Sequence, residues 1–280
     1  MSYIYIRNKG GLGNQLFIFN FGLLLSRKYQ KKLIIDNSTG FFFDKYSRKP
    51  ILNKLFSKPI FEASFLQKFY FIIFKKLPKK CRKIFKIEYI IEQNTSSFIN
   101  IEDQLHFPFK YLYVEGYFQS FQYLSENILQ IQNLFSKTID FNEIYFNYNN
   151  IINTTNSVCV HIRREAYDNL LSDLHYFNAI EIIKSKTLNP TFFIFSDSME
   201  WCKKHFTGLD NIIFIENKNN IDDIQEFFLM KNCNHFIIAN STFSWWAAIL
   251  SNKKYKLVIA PEKNQLGVIE TFYPNDWMLI

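Results

Sequence analysis

The second half of the chain alternates short apolar runs with longer stretches of helical spacing. Short apolar runs between polar residues are typical of buried strands, and apolar residues three and four positions apart favour a helix. The predicted strands span 158–162, 192–195, 212–215, 236–239 and 257–260. The predicted helices span 175–186, 198–206, 222–231 and 243–251. This alternation indicates a parallel sheet with helices on both faces.

The first half opens with the same pattern. The predicted elements are strands at 3–7, 33–35 and 111–115 and helices at roughly 15–29 and 121–135. Residues 41–110 mix apolar and basic stretches and have no assignable pattern. The polar, asparagine-rich stretch 147–156 is the best linker candidate. We therefore predict an α/β fold with a first domain over 1–152 and a second over 153–280, each long enough to bury a core.

The excess positive charge lies entirely in the first half. Residues 1–150 contain 21 Lys and Arg against 11 Asp and Glu, whereas residues 151–280 contain 12 against 14. A basic surface attracts nucleic acid, anionic lipid or an anionic substrate. Seven of these basic residues fall within 75–86, with no acidic residue, directly after the apolar 69–74. This segment could contact an anionic membrane, and a solvated basic face is the alternative.

Cysteine usage and the N-terminal residues favour a reducing compartment. The four cysteines form no Cys-x-x-Cys pair, and Cys159 and Cys233 lie among apolar residues like small core residues. The chain opens on a strand without a basic leader, and no apolar stretch approaches the ~20 residues that span a bilayer. We expect a cytoplasmic protein, either soluble or peripheral on the inner face of the cell membrane.

Polar residues follow the strands of the predicted second sheet. Because ligands bind beyond the carboxyl ends of parallel strands, these residues mark one candidate edge. They are His161, Arg163, Arg164, Asp197, Asn240, Ser241 and Thr242. The edge therefore offers groups that suit a phosphate, a base or a sugar.

The adjacent Arg163 and Arg164 favour an anion, because a guanidinium presents a flat fork of donors to phosphate oxygens. Ser241 and Thr242 open a predicted helix at the same edge, where backbone N–H groups and the helix dipole also attract an anion. Each feature has a structural alternative. The arginines could be saturated by Glu165 and Asp168, His161 could be a hydrogen-bonded core residue, and Asp197 could be an N-cap.

The glycine-rich loop after the first strand has the sequence context of a dinucleotide-binding unit but lacks the third glycine of its motif. A Gly-x-Gly-x-x-Gly motif beginning at Gly11 would have Leu16 in place of its third glycine, which obstructs close helix–strand contact. A nicotinamide enzyme is therefore disfavoured. The P-loop motif is absent. The loop could still bring its backbone to a pyrophosphate bound by the other domain.

Metal chemistry has little support in the sequence. No Asp-x-Asp follows a strand, and no His pair has metal-ligand spacing. Asp222 and Asp223 lie at a predicted helix start, where acidic residues suit the dipole. We expect no metal and no other cofactor, with arginines meeting the charge of a leaving group.

Four segments together resemble the family 11 glycosyltransferases, the α-1,2-fucosyltransferase family. They occur in the family's order and span nearly the whole chain. They are Gly10-Gly11-Leu12-Gly13-Asn14-Gln15-Leu16-Phe17, Glu115-Gly116-Tyr117-Phe118-Gln119-Ser120, His161-Ile162-Arg163-Arg164 and Asn240-Ser241-Thr242-Phe243-Ser244-Trp245-Trp246. Phe195-Ser196-Asp197 also fits the family.

The resemblance implies a GT-B fold, in which two Rossmann-like parallel-sheet domains face a central cleft. It implies inverting, metal-independent transfer of L-fucose from GDP-fucose, bound by the second domain, to a galactoside hydroxyl in α-1,2 linkage. The expected setting is bacterial O-antigen, lipopolysaccharide or capsule synthesis. The acceptor would be a galactose-containing glycan, which could be lipid-linked.

Roles carry over by position. Arg163 matches the residue that binds the β-phosphate, His161 and Asp197 match guanosine contacts, and Ser241 and Thr242 match positions beside the phosphates. The predicted donor-binding residues are Gly11, Gly13, Asn14, Gln15, His161, Arg163, Asp197, Asn240, Ser241 and Thr242, with Gln119 on the acceptor side. The predicted catalytic residues are Arg163, Arg164, Glu165 and Asp168.

One departure from the family concerns catalysis. The family usually continues Arg-Arg-Gly-Asp-Tyr, whereas this chain reads Arg164-Glu165-Ala166-Tyr167. Glu165 or Asp168 would have to replace the missing aspartate. A transferase for another GDP-6-deoxyhexose and an inactive GDP-sugar-binding relative are therefore alternatives. A nucleic-acid-binding protein is a further alternative on charge alone, but no binding motif supports a nucleic-acid partner.

Overall fold

The structure is a computed structural model that describes residues 2–57, 60–92, 98, 100–124, 128–135, 139–165, 170–216, 221–263 and 271–280. The chain divides into two compact α/β units. Unit 1 comprises Met1–Thr138 and Ile269–Tyr273, and unit 2 comprises Ile139–Val268 and Pro274–Ile280.

Unit 1 is built on a parallel sheet. Its strands, within the described ranges, are β1 (Tyr3–Arg7), β2 (Lys32–Asp36), β3 (Ile87–Ile91) and β4 (Tyr111–Glu115). They pair in the order β2-β1-β4-β3. The helices are α1 (Leu12–Lys28), α2 (Leu52–Leu55), α3 (Phe65–Lys75), α4 (Lys79–Ile84), α5 (Ile101–Gln104) and α6 (Ile128–Leu134), and a 3₁₀ turn covers Phe121–Tyr123.

The first helix explains how unit 1 acquires a core. α1 is apolar around most of its circumference, so Leu16, Phe17, Phe21 and Leu25 are completely buried. A helix that is apolar on most sides belongs in the interior. Its amino end therefore lies at a fixed position beside the carboxyl end of β1, which places the glycine-rich loop at the sheet edge.

Unit 2 is built on a larger parallel sheet. Its strands, in the part of the chain that the structure describes, are β5 (Asn156–Ile162), β6 (Pro190–Ser196), β7 (Ile212–Phe214), β8 (His235–Ile237), β9 (Val258–Ala260) and β10 (Met278–Leu279). Their order is β10-β9-β8-β5-β6-β7. The helices are α7 (Glu143–Thr154), α8 (Asp173–Lys186), α9 (Met199–Phe206), α10 (Asp223–Asn232) and α11 (Thr242–Leu250).

The core of unit 2 confirms the alternating pattern of the sequence. All five predicted strands and all four predicted helices are present, with ends within two residues of those predicted. The central strand β5 is buried along almost its whole length, and Trp245 and Trp246 on α11 are fully buried. Cys159 and Cys233 are buried free thiols, which confirms their assignment as small core residues.

The predicted linker at 147–156 is wrong, because these residues belong to α7 and the start of β5. Asparagine is a poor helix former, yet tertiary contacts outweigh its propensity. Asn142 accepts a hydrogen bond from the Tyr145 N–H as an N-cap, and Tyr145 and Ile152 are buried. The division between units accordingly falls at 138/139, whereas the predicted domain boundary at 152/153 lies inside α7.

Two other parts of unit 1 differ from the sequence pattern. The helix predicted over 121–135 is a 3₁₀ turn followed by α6, with residues 125–127 outside the described ranges. The unassigned 41–110 contains four helices and β3 among its described residues. No helix in the described part of the chain is long and apolar enough to cross a membrane.

Candidate functional site

The carboxyl edge of the unit 2 sheet brings together residues that are distant in sequence. β5 lies between β8 and β6, with Val160 opposite Ile237 and Ile162 opposite Ser196. The segments that follow these three strands are therefore neighbours. They begin at Arg163, Asp197 and Ile238, and the last leads through Asn240 and Ser241 into α11. The predicted clustering of polar residues at this edge is present.

Arg163 is oriented by a carboxylate from the next strand. Its Nε lies 3.1 Å from Asp197 Oδ2, and the arginine side chain keeps about a third of its surface exposed, at 30%. An ion pair of this kind restricts the side chain before an anion binds, and a guanidinium presents a flat fork of donors that matches phosphate oxygens. Arg163 thus has the geometry expected of a phosphate ligand.

Asp197 shapes the loop after β5, and its interpretation as an N-cap is wrong. Its Oδ1 accepts the Arg164 N–H at 2.8 Å, and its Oδ2 accepts the Glu165 N–H at 3.1 Å. Ser198 occupies the N-cap position of α9 without a side-chain cap. Because both Asp197 oxygens already accept hydrogen bonds, the carboxylate positions Arg163 and the loop. Its predicted contact with guanosine remains a prediction.

Arg164 has a different environment from Arg163. Its guanidinium lies 4.1 Å from the Trp201 ring centroid, and Nη1 donates to the Leu171 carbonyl at 3.0 Å. Asp173 lies 4.0 Å from the same nitrogen. The side chain therefore ties the loop to α8 and α9. Its predicted catalytic role does not follow from this geometry, which is that of a positioning residue.

The structure shows two carboxylate partners of the arginines that the sequence did not indicate. Asp197 and Asp173 pair with them, whereas we proposed Glu165 and Asp168 as the structural alternative. Glu165 is exposed and contributes its backbone N–H to Asp197. Asp168 and the neighbouring Ala166 lie outside the described residues. The catalytic roles of Glu165 and Asp168 stay predictions.

His161 is buried at the end of β5, with 1% of its surface exposed. Burial first, and then the charge of Arg163, lower the pKa of its imidazole well below the usual range. The ring is therefore neutral at physiological pH. Its Nδ1 has no hydrogen-bond partner among the described residues, and its centroid lies 5.9 Å from that of Phe243. A contact with guanosine remains a prediction.

The helix start after β8 is built as predicted. Ser241 is the N-cap of α11, and its hydroxyl accepts the Phe243 N–H at 3.3 Å. The fully buried Trp245 and Trp246 fix the helix in the core. Asn240 and Thr242 flank the cap. The backbone at this helix end thus offers an anion the positive end of the dipole, beside the Arg163 loop.

An open cavity of about 420 Å³ lies at the same edge of unit 2. It is lined by the loop before α8, by the start of α8 and by the chain after β9. Glu262 and Lys263 supply charged groups to it. It provides room for part of a ligand next to the strand ends.

The glycine-rich loop of unit 1 is organised by Gln15, which is fully buried. Its Nε2 donates to the carbonyls of Gly10 and Lys49, at 2.8 and 2.9 Å, and its Oε1 accepts the Ile51 N–H at 2.9 Å. These bonds use both ends of the amide. Gln15 therefore shapes the loop, and its predicted contact with the donor is not supported because no side-chain surface is exposed.

Two predicted residues from separate motifs meet in unit 1. Gln119 Nε2 donates to Asn14 Oδ1 at 2.9 Å. Gly11 is the N-cap of α1, and Gly13 lies in the first turn of that helix. A side chain at Gly11 would meet no atom closer than Arg48 Nε, which would lie 3.9 Å from its Cβ. The loop is therefore open at Gly11. The assignments of Gly11, Gly13 and Asn14 to the donor and of Gln119 to the acceptor stay predictions.

Sequence reasoning missed a charged cluster at the carboxyl edge of the unit 1 sheet. Arg7 ends β1, Asp36 ends β2 and Glu115 ends β4. Glu115 Oε1 lies 2.5 Å from Arg7 Nη1, and its Oε2 lies 2.7 Å from Lys75 Nζ. Burial acts to raise the pKa of Glu115, but Lys75 and Arg7 outweigh it and hold the pKa below its usual value. Ligand-binding residues follow the carboxyl ends of parallel strands, and the same argument applied to the first half would have indicated Arg7, Asp36 and Glu115.

Metal ligands are not grouped in the described residues. No set of three His, Cys, Asp or Glu side chains there could hold an ion. Metal-independent chemistry stays a prediction.

Comparison with known proteins extends these observations. The glycosyl transferase family 11 model matches residues 3–280. The chain is 31% identical to an α-1,2-colitosyltransferase of Escherichia coli, over 100% of this chain and 99% of that protein. It is 27% identical to the E. coli O-antigen biosynthesis glycosyltransferase WbnK, over 91% and 92% of the two chains. A mouse galactoside α-(1,2)-fucosyltransferase 2 is 29% identical over 33% of this chain and 27% of its own length.

Solved structures share the fold at low sequence identity. The α-1,6-fucosyltransferase NodZ, soaked with GDP-fucose, superposes with a TM-score of 0.54 at 13% identity, covering 89% of this chain and 92% of NodZ. POFUT1 in complex with GDP-fucose gives 0.53 at 12% identity, covering 92% and 98%. These likenesses confirm the predicted GT-B class of fold. Since the family model covers nearly every residue that builds the two sheets and their carboxyl edges, the chain belongs to glycosyl transferase family 11.

Proposed function

We propose that the protein transfers a 6-deoxy sugar of the fucose type from GDP to a hydroxyl of a galactoside, with inversion and in α-1,2 linkage. The whole-length similarity to an α-1,2-colitosyltransferase supports the donor class and the linkage. The similarity to an O-antigen biosynthesis glycosyltransferase supports a surface glycan as acceptor, and the similarity to a galactoside α-(1,2)-fucosyltransferase supports galactose as the accepting sugar. We place the reaction in the cytoplasm, where the four free cysteines would stay reduced.

The observation that carries the proposal is the Arg163–Asp197 pair at the carboxyl edge of the unit 2 sheet. When the bond between sugar C1 and the β-phosphate oxygen breaks, negative charge grows on GDP. A guanidinium already oriented by a carboxylate stabilises that charge without reorganising. The neighbouring start of α11 contributes backbone N–H groups and its dipole. No metal ion is required by this scheme.

The acceptor oxygen attacks C1 from the face opposite GDP, which inverts the anomeric centre. Its proton must pass to a base as the new C–O bond forms. Because Ala166 occupies the position of the family's usual aspartate, we propose Glu165 or Asp168 as that base. Arg164 acts indirectly, by fixing the loop that carries Glu165.

Two donor sugars fit the proposal. The mouse relative that matches only a part of this chain is a fucosyltransferase, whereas an E. coli relative that matches along the whole chain is a colitosyltransferase. Colitose lacks one ring hydroxyl that fucose carries. A site that binds this hydroxyl discriminates strongly against its absence, because a buried polar partner is then left unpaired.

A donor screen tests the proposal. The protein is incubated with GDP-fucose, GDP-colitose, GDP-mannose and UDP-galactose, and nucleotide release is measured with and without a β-galactoside. We expect acceptor-dependent release from a GDP-6-deoxy sugar only, and none with a 2-deoxygalactoside as the matched acceptor control. Release from UDP-galactose alone would overturn the donor assignment. GDP binding without turnover of any donor would instead favour an inactive relative.

A further inference from the structure

The outward face of α3 is apolar, which is the reverse of an ordinary surface helix. Phe71 is its only buried residue among those described. The opposite face, at helical spacing, consists of large apolar side chains that are 43–80% exposed. They are Phe65, Leu66, Phe69, Tyr70, Ile72 and Ile73. A contiguous apolar face of six large side chains marks an interaction site, because contact between apolar side chains and water is unfavourable.

The chain directly after this face is basic. Residues 75–86 contain seven Lys and Arg and no acidic residue, and α4 within them has no buried residue. Lys75 pairs with Glu115. Lys79, Lys80 and Lys83 are exposed, and none of them lies within ion-pair distance of a described carboxylate. Ile84 and Phe85, 77% and 51% exposed, add apolar side chains beside these lysines.

An aromatic cavity opens on the same surface. It has a volume of about 300 Å³ and lies between α3 and the amino ends of β1, β3 and β4. Tyr70, Phe74 and Phe85 line it, and Tyr70 and Phe85 also belong to the exposed apolar set. The surface therefore combines an apolar face, a recess that suits an apolar chain, and three exposed lysines that form no ion pair with a described carboxylate.

We propose that this surface, formed by residues 65–86, docks on an anionic lipid bilayer. An amphipathic segment with large apolar residues beside lysines inserts its apolar side chains at the headgroup boundary, while the lysines contact anionic headgroups. Charge complementarity selects this occupant, because a protein partner or a second copy would need acidic groups opposite the lysines. The proposal does not depend on which sugar the enzyme transfers.

Vesicle sedimentation tests it with the full-length protein and no sugar nucleotide. Phosphatidylcholine vesicles with and without phosphatidylglycerol are the two lipid surfaces. We expect binding to the anionic vesicles only, weakening as salt is raised. The Lys79→Gln/Lys80→Gln/Lys83→Gln variant should bind about fivefold more weakly for each lysine removed. The Phe65→Gln/Phe69→Gln/Ile72→Gln variant should lose binding despite its unchanged charge.

Matched variants in unit 2 serve as controls. Lys186→Gln/Lys204→Gln/Lys254→Gln removes three exposed lysines elsewhere, and Leu174→Gln/Leu188→Gln removes exposed leucines. Both should bind anionic vesicles like the original protein, and far-UV circular dichroism checks that all variants fold. Equal binding to both lipid surfaces, or to neither, overturns the proposal. So does sedimentation equilibrium showing a dimer that only the α3 variant dissociates, because the surface would then be a contact between two copies.

Discussion

Arg163 and Arg164 are adjacent in sequence but differ in what surrounds their side chains. Arg163 pairs with Asp197 at the sheet edge, whereas Arg164 stacks on Trp201 and donates to Leu171. The sequence could indicate that an anion binds after β5. The sequence could not distinguish the roles of the two arginines. The partners of Arg164 lie on α9 and before α8, and only the folded chain brings them next to it.

The first prediction concerns the Arg163–Asp197 pair. Arg163→Ala should lower kcat by roughly 10²–10³, the usual cost of removing a donor that stabilises transition-state charge. Asp197→Asn should lower kcat less, since an amide oxygen can still accept the Arg164 N–H. The losses should be less than additive in the double variant, because Asp197 acts partly through that arginine and partly through the loop that follows β5.

Steady-state transfer measured for the four proteins completes this cycle. Arg27→Ala, at the exposed end of α1, is the control and should transfer at the original rate. Strictly additive losses would show that Asp197 acts independently of Arg163.

A second prediction follows from the buried His161, whose pKa is lowered well below its usual range by burial and by Arg163. The unfolded chain therefore binds a proton that the folded protein does not. Stability should fall as the pH drops below about 6.5, where the unfolded histidine titrates. His161→Gln should reduce this slope by up to ~1.4 kcal/mol per pH unit.

Urea unfolding of both proteins at a series of pH values measures the slope. Burial also lowers the pKa of His175 and His235, so part of the dependence should persist in the variant. Parallel profiles for the two proteins would contradict a protonation difference at His161.

At the scale of elements, α7 and α3 show where sequence patterns fail. α7 is rich in asparagine, and only buried contacts such as those of Tyr145 reveal it as a helix. α3 has a helical spacing of apolar residues and a Ser64–Gln67 capping box, but most of that apolar surface faces outward. Sequence patterns are interpreted on the assumption that the apolar face of a helix is buried. That assumption fails for α3, so its pattern alone places it wrongly in the core.

The glycine-rich loop gives a third prediction. Gln15→Ala removes three close hydrogen bonds from a fully buried amide and leaves backbone groups of the loop unsatisfied. We expect a loss of about 2–4 kcal/mol in the free energy of unfolding of unit 1. Gln67→Ala, the matched control at the exposed start of α3, should cost about 1 kcal/mol or less.

Denaturant unfolding followed by aromatic fluorescence compares the two variants. Similar losses would mean that Gln15 does not hold the loop.

At the scale of the whole molecule, two parallel sheets and the residues at the carboxyl edge of the second sheet could be anticipated, because alternating strands and helices leave few other topologies. The division between the units could not. Residues 269–273 return to unit 1, where Thr271 O accepts the Phe121 N–H at 2.8 Å and Phe272 packs near Phe17. Five residues carry too little pattern to reveal such a return.

The fourth prediction tests this division. A fragment of residues 139–280 retains α7 and should unfold cooperatively and bind GDP. A fragment of residues 153–280 lacks most of α7, including the buried Tyr145 and Ile152, and should have a lower Tm or fail to fold. Calorimetry with and without GDP measures both, and equal Tm values would support the boundary at 152/153 instead.

The return of residues 269–273 also bears on how the chain matures during synthesis. Ser120 Oγ donates to the Thr271 carbonyl, and the same carbonyl accepts the Phe121 N–H, so a part of unit 1 is translated only after residues 139–268 of unit 2. Domains usually fold in the order of translation, the first while the second is still being made. Here the contacts that Thr271 and Phe272 make with the amino-terminal unit cannot form until residues 139–268 have been translated, so the surface of unit 1 that they cover stays exposed during the synthesis of that stretch.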